Sequence, residues 1–106
     1  GEASKKQMLV QLKSVYSDIL VRESEIVLSG KEIIEAEENL RIEENKYNEK
    51  MTTETDLLNA LLNLKKANTS LISAYYNHKT ALHSMANMLG VDVNDISETT
   101  NNQIYK

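Results

Sequence analysis

The sequence predicts an all-α fold, two long helices laid back on each other as an antiparallel, coiled-coil-like hairpin. Three observations carry that expectation. Apolar residues recur every seven positions over most of the 106-residue chain, the pattern of a long helix with a buried stripe. Proline is absent and glycine stands only at positions 1, 30 and 90, so the tight turns of a sandwich or barrel have little to form them. The five aromatic residues are all Tyr, and the other hydrophobic residues are Leu, Ile, Val, Ala and Met, which suits long helices better than a compact core of large rings.

The first helix is expected over residues 1–49. Leu12, Ile19, Ile26, Ile33, Leu40 and Tyr47 fall seven apart, and Met8 and Val15 add partners near the start. A second row one residue later, Leu20, Val27 and Ile34, widens the stripe. Gly30 lies mid-helix at a cost of up to ~1 kcal/mol relative to Ala. The seven-residue rhythm passes through it unchanged, so it reads as a tolerated glycine or a point of close approach rather than a break.

The hairpin tip is expected over residues 50–54. Met51-Thr52-Thr53-Glu54-Thr55-Asp56 concentrates β-branched and capping residues just before a new apolar run. Thr52 or Thr53 can serve as N-cap, with Glu54 and Asp56 facing the positive end of the helix dipole.

The second helix is expected over 55–90, with Gly90 as its C′ residue. Leu57, Leu61, Leu64, Leu71, Tyr75, Leu82, Met85 and Leu89 follow three- and four-residue steps, interrupted at Asn68 and His78. Beside that seam runs a row of small residues, Ala60, Ala67, Ala74 and Ala81, again seven apart, and on the other flank lie Leu58, Ile72 and Ala86. Small residues let a neighbouring backbone come close while larger ones interlock, so this helix is expected to touch more than one neighbour. An ordinary broad stripe in a four-helix bundle is the plainer reading. At ~1.5 Å per residue each helix would run roughly 55–70 Å, too long to fold into a globule, and the two must pair lengthwise.

Charge is divided between the helices. Glu32, Glu35, Glu37, Glu38, Glu43, Glu44 and Glu49 crowd the later half of the first, whereas Leu57 to Leu89 carries Lys65, Lys66 and Lys79 and no acid. Folding back near Met51 brings Lys65 and Lys66 level with Glu37 and Glu38, and Lys79 near Glu23 or Glu25. Exposed pairs of this kind contribute ~0–1 kcal/mol and set register more than stability; a merely solvated acidic face is the alternative. After Gly90 the tail, residues 91–106, turns polar and loses the rhythm, and is expected to be extended or disordered.

The residues exclude several functions. A formal charge of −4 with no basic stripe argues against nucleic acid. Without cysteine there is no thiolate nucleophile, disulfide or Cys metal site. No apolar run approaches the ~18 residues of a membrane-spanning helix, and an opening Gly1-Glu2-Ala3-Ser4 without Met reads as processed or excised from something longer. His78 and His83 are five apart and do not stack on one helical face as paired ligands would; His78 reads as a polar residue of the seam and His83 as exposed. No nucleophile elbow, phosphate loop or carboxylate pair in a pocket is present in the pattern, so no enzyme, cofactor or metal is expected.

Lys46-Tyr47-Asn48, followed by Thr55-Asp56-Leu57-Leu58-Asn59-Ala60, resembles the repeat motif of the TolC-like outer-membrane efflux proteins. Tyr75-Tyr76-Asn77-His78-Lys79-Thr80-Ala81-Leu82 and Met88-Leu89-Gly90 fill the places of that family's later aromatic stretch and closing Leu-Gly. The resemblance covers about Glu38 to Gly90. It implies one hairpin of a trimeric periplasmic α-barrel beneath an outer-membrane β-barrel in a Gram-negative bacterium, a conduit for efflux or type I secretion. It also implies a membrane-fusion adaptor and an inner-membrane pump as partners, docked at the tip residues Lys46, Tyr47, Asn48, Glu49, Lys50 and Met51. The tip departs from the family, whose pattern there is hydrophobic-Gly-Leu. Glu49-Lys50-Met51 puts a charge in place of the apolar residue and removes the glycine that eases a positive φ, so the helix is expected to continue further here.

The alternative to a conduit is a structural coiled-coil or helical-bundle interaction module without a transport role. The two part company over assembly: a hairpin without its barrel neighbours is expected to self-associate, most simply as an antiparallel dimer forming a four-helix bundle, because one partner helix covers one side of each rod, whereas a monomer would count against two-sided packing.

Overall fold

The computed structural model describes residues 1–90 and shows an all-α antiparallel helical hairpin, with no strand among the described residues. Helix α1 (Glu2–Asn48) has 47 residues and helix α2 (Glu54–Leu89) has 36. The expected polar tail, residues 91–106, lies outside the described residues. Helix α2 ends on Gly90 at φ 69°, the left-handed conformation that glycine adopts at C′ without a Cβ penalty. Hydroxyls inside the helices turn back on their own backbone: Ser24, Thr69, Thr80 and Ser84 each donate to the carbonyl four residues earlier.

The chain divides into two units. The first joins Gly1–Ser24 to the chain from Tyr75 on. Its core is Ile19 with Ala81 and Leu82, and Val15 and Met85 pack against that cluster. The second unit, Glu25–Ala74, contains the tip, and its buried apolar residues are Ile26, Ala60 and Ala74. Along α1 the covered positions step mainly by three and four: Leu12, Val15, Ile19 and Arg22 in the first unit, then Ile26, Ser29, Ile33, Ala36, Leu40 and Glu43 in the second, with Glu23, Glu25 and Gly30 half-covered beside them. Along α2 they are Leu57, Ala60, Leu64, Ala67, Leu71 and Ala74, then His78, Ala81, Leu82, Met85, Ala86 and Met88.

This seam differs from the one the spacing suggests. The alanine row lies on the line of contact with α1, in alternation with Leu57, Leu64 and Leu71, and not beside it. Leu61 (45% exposed), Tyr75 (41%) and Leu89 face outward. In the second unit the level positions set large residues against small ones. Ile19 clusters with Ala81 and Leu82, and counting back from the Tyr47–Glu54 contact at the tip brings Ile33 level with Ala67 and Leu40 level with Ala60. A branched side chain on one helix and a methyl on the other let the backbones approach closely. Asn68 consequently does not interrupt the seam, because it is exposed on an outer flank.

Candidate functional site

The tip is closed by two interlocking caps. At the end of α1 the Met51 amide donates to the Lys46 carbonyl (2.7 Å) and the Lys50 amide to the Tyr47 carbonyl (3.0 Å). Those two bonds make a Schellman motif, and its C′ residue must be left-handed. That residue is Lys50, at φ 61°. The expectation that the helix would run on without a glycine is therefore overturned: α1 stops at Asn48, and Lys50 takes the conformation despite its Cβ. A non-glycine residue pays ~1–2 kcal/mol for that. The two bonds, with the cap that starts α2, hold it there.

Thr53 is that cap. Its Oγ1 accepts the Asp56 amide at 3.1 Å, and its carbonyl accepts the Leu57 amide to begin the helix. The Thr52 hydroxyl lies 3.0 Å from a Glu43 carboxylate oxygen and 3.0 Å from one of Asp56, and its single proton serves one or the other. Glu43 is also 3.8 Å from the Lys46 ammonium. The Tyr47 hydroxyl donates to Glu54 across the turn at 3.2 Å. That hydrogen bond first, and the Glu54 charge second, push the Tyr47 phenol above its ordinary value. Glu49 donates its amide to the Asn45 carbonyl, and Met51 is 70% exposed at the apex.

Of the seam residues singled out from the sequence, Ala60, Ala74 and Ala81 are buried, and Ala67, Leu57, Leu64 and Leu71 are half-buried. Leu61 is apart from them, on an outer flank. The polar members of the α1 seam, Arg22, Ser29 and Glu43, escape a search for apolar rows; stepping three residues on from each of Ile19, Ile26 and Leu40 would have found them. Glu38, expected level with Lys66, pairs within α1 instead. Arg41 donates through Nε and Nη2 to Glu38 (3.0 and 2.6 Å), and Arg22 lies 3.3 Å from Asp18. The Arg41 hydrogen bond holds the Glu38 carboxyl below its usual range.

His78 is buried (5% exposed), with Nε2 3.7 Å from a Glu23 oxygen and without a hydrogen-bond partner. His83 is exposed. No group of three or more His, Cys, Asp or Glu positioned for a metal occurs among the described residues. In the second unit an open groove of about 390 Å³ is rimmed by Glu32, Glu35, Asn39, Asn63, Lys66 and Ser70, where Ala36 and Ala67 leave room between the helices. No helix among the described residues is long and apolar enough to cross a membrane.

No protein-family model, curated protein or solved structure matches this chain.

Proposed function

We propose that this hairpin is a wall segment of a periplasmic α-barrel in an outer-membrane efflux or type I secretion channel, with its tip turned toward an adaptor. The observation that carries the reading is the tip. Its motif resembles the TolC-like one, and Lys50 holds φ 61° at the place where that family has glycine. The backbone thus keeps the shape of a glycine turn although the residue has changed. The outer faces agree with a wall segment, because a barrel helix needs a neighbour on each side, and apolar residues such as Ile34 and Ile72 are left uncovered by the hairpin itself.

A second reading, an interaction module without a transport role, is favoured by one observation. The apex presents Glu49 and Lys50 beside Met51, where an apolar docking loop would be usual in that family. One experiment separates the two. The gene encoding this hairpin is expressed in Gram-negative cells with a photo-crosslinking residue at Met51. The conduit reading expects outer-membrane fractionation and a cross-link to a periplasmic adaptor. A cytoplasmic product without that cross-link overturns it and leaves the interaction module.

A further inference from the structure

The second unit has two unlike flanks, and one contains a feature that the hairpin's own packing does not explain. Heptad geometry puts Val27, Gly30 and Ile34 of α1 on the same flank as Leu58, Leu61 and Ile72 of α2, and the five large residues are all exposed, Ile34 and Ile72 by 68% and 69%. Gly30 sits at the centre of the α1 row, in mid-helix. A Cβ built there would meet nothing within 4 Å, so no contact inside the chain requires a glycine. It needs neither a positive φ nor a turn. What remains is a notch, one helical turn from Val27 and from Ile34, that another helix could enter.

We propose that this flank is the interface with a second copy of this chain, the partner's side chains entering the Gly30 notch. The charges on the flank select the partner and the orientation. Glu37, Arg41 and Glu44 lie on its α1 side, Arg41 bound to Glu38 of its own helix, and Lys65 on its α2 side, all exposed. Ten residues back from Tyr47 and eleven on from Glu54 put Glu37 and Lys65 at the same level of the hairpin, given the Tyr47–Glu54 contact. A two-fold axis running along the hairpin lays each α1 on the partner's α2, antiparallel, and brings each Lys65 opposite a partner glutamate twice over, as an isologous contact requires. The two tips then share one end. Turning one copy end over end lays α2 on α2, where Lys65 meets no acid because residues 57–89 have none.

The inference rests on the self-association expected of the hairpin but not on the conduit, and the test keeps them separate. Sedimentation equilibrium is run at micromolar concentration on the wild type, Gly30→Ala, Ile72→Lys and the opposite-flank control Asn63→Lys, with melting followed in parallel. The expected result is an associated wild type and control. Ile72→Lys and Gly30→Ala should each weaken association by about tenfold or more, and Gly30→Ala should melt no lower than wild type when dilute, since alanine favours the helix. A monomeric wild type overturns self-association altogether. An associated wild type that Gly30→Ala and Ile72→Lys leave unchanged overturns this face alone. Oxidation of Met51→Cys gives a covalent dimer if the tips share an end; failure to cross-link in an associated sample overturns the orientation.

Discussion

The two flanks of the Glu25–Ala74 unit are built from the same two helices and could hardly differ more in chemistry. One carries Val27, Ile34, Leu58, Leu61 and Ile72 around Gly30. The other carries Glu32, Glu35, Asn39, Asn63, Lys66 and Ser70 around an open groove, with Leu28 and Ile42, two heptads apart, as isolated apolar residues. Both lie outside the covered seam. This unit therefore has three kinds of surface: a seam covered within the chain, an exposed flank bearing amides and charges, and an exposed apolar flank. The contrast shows that helix pairing settles only one stripe of each rod, and that the remaining pattern answers to something outside the chain.

The largest expected effects test whether the seam is the satisfied surface. Ile26→Ala removes a buried side chain and should cost ~2–5 kcal/mol in denaturant titration at fixed protein concentration. Ala74→Leu should cost ~1–3 kcal/mol by overpacking the line that the alanine row keeps narrow, whereas Asn63→Leu, on the polar flank, should change stability by less than about 0.5 kcal/mol. Equal losses at positions 74 and 63 would erase the distinction between seam and flank.

Next comes the tip, which belongs to neither flank. Lys50→Gly should raise stability by about 1 kcal/mol, because it relieves the left-handed strain, and should leave association unchanged. A loss would show that the Lys50 side chain contributes more than its backbone costs. The smallest effect is spectroscopic. Glu54 raises the Tyr47 pKa, so the link is present below the ordinary tyrosine range and is lost as pH rises through the raised value. Tyr47→Phe should remove an upward-shifted component of the phenolate absorbance titration while barely moving the neutral-pH melt.

Much of this was legible in the residues. The seven-residue rows specified two helices, and Thr52 or Thr53 with Glu54 and Asp56 marked where the second begins to within a residue, because capping is a local interaction encoded within four residues. Membership of the α2 seam was not legible. Leu61 and Ala60 are adjacent, and hydropathy alone favours leucine; which of them turns inward goes with what stands level across the hairpin, Ile33 and Leu40 against Ala67 and Ala60, and one helix's sequence does not contain that. Lys50 misled for a similar reason. Glycine signals a left-handed residue, but here two backbone bonds and a cap enforce the conformation without it. At the proposed site, the tip motif was readable as a contiguous run, whereas the Gly30 notch became interpretable only once its surroundings were known to be empty.

The inequality of the flanks is tested most directly by thiol labelling, because the chain has no cysteine of its own. Asn68→Cys places a probe on the apolar flank without removing an apolar residue, and Asn63→Cys places one on the polar flank; both positions are exposed in the single chain. Maleimide labelling at position 68 should slow as protein concentration rises through the micromolar range, while labelling at position 63 stays constant. Equal rates at the two positions at every concentration would contradict the account.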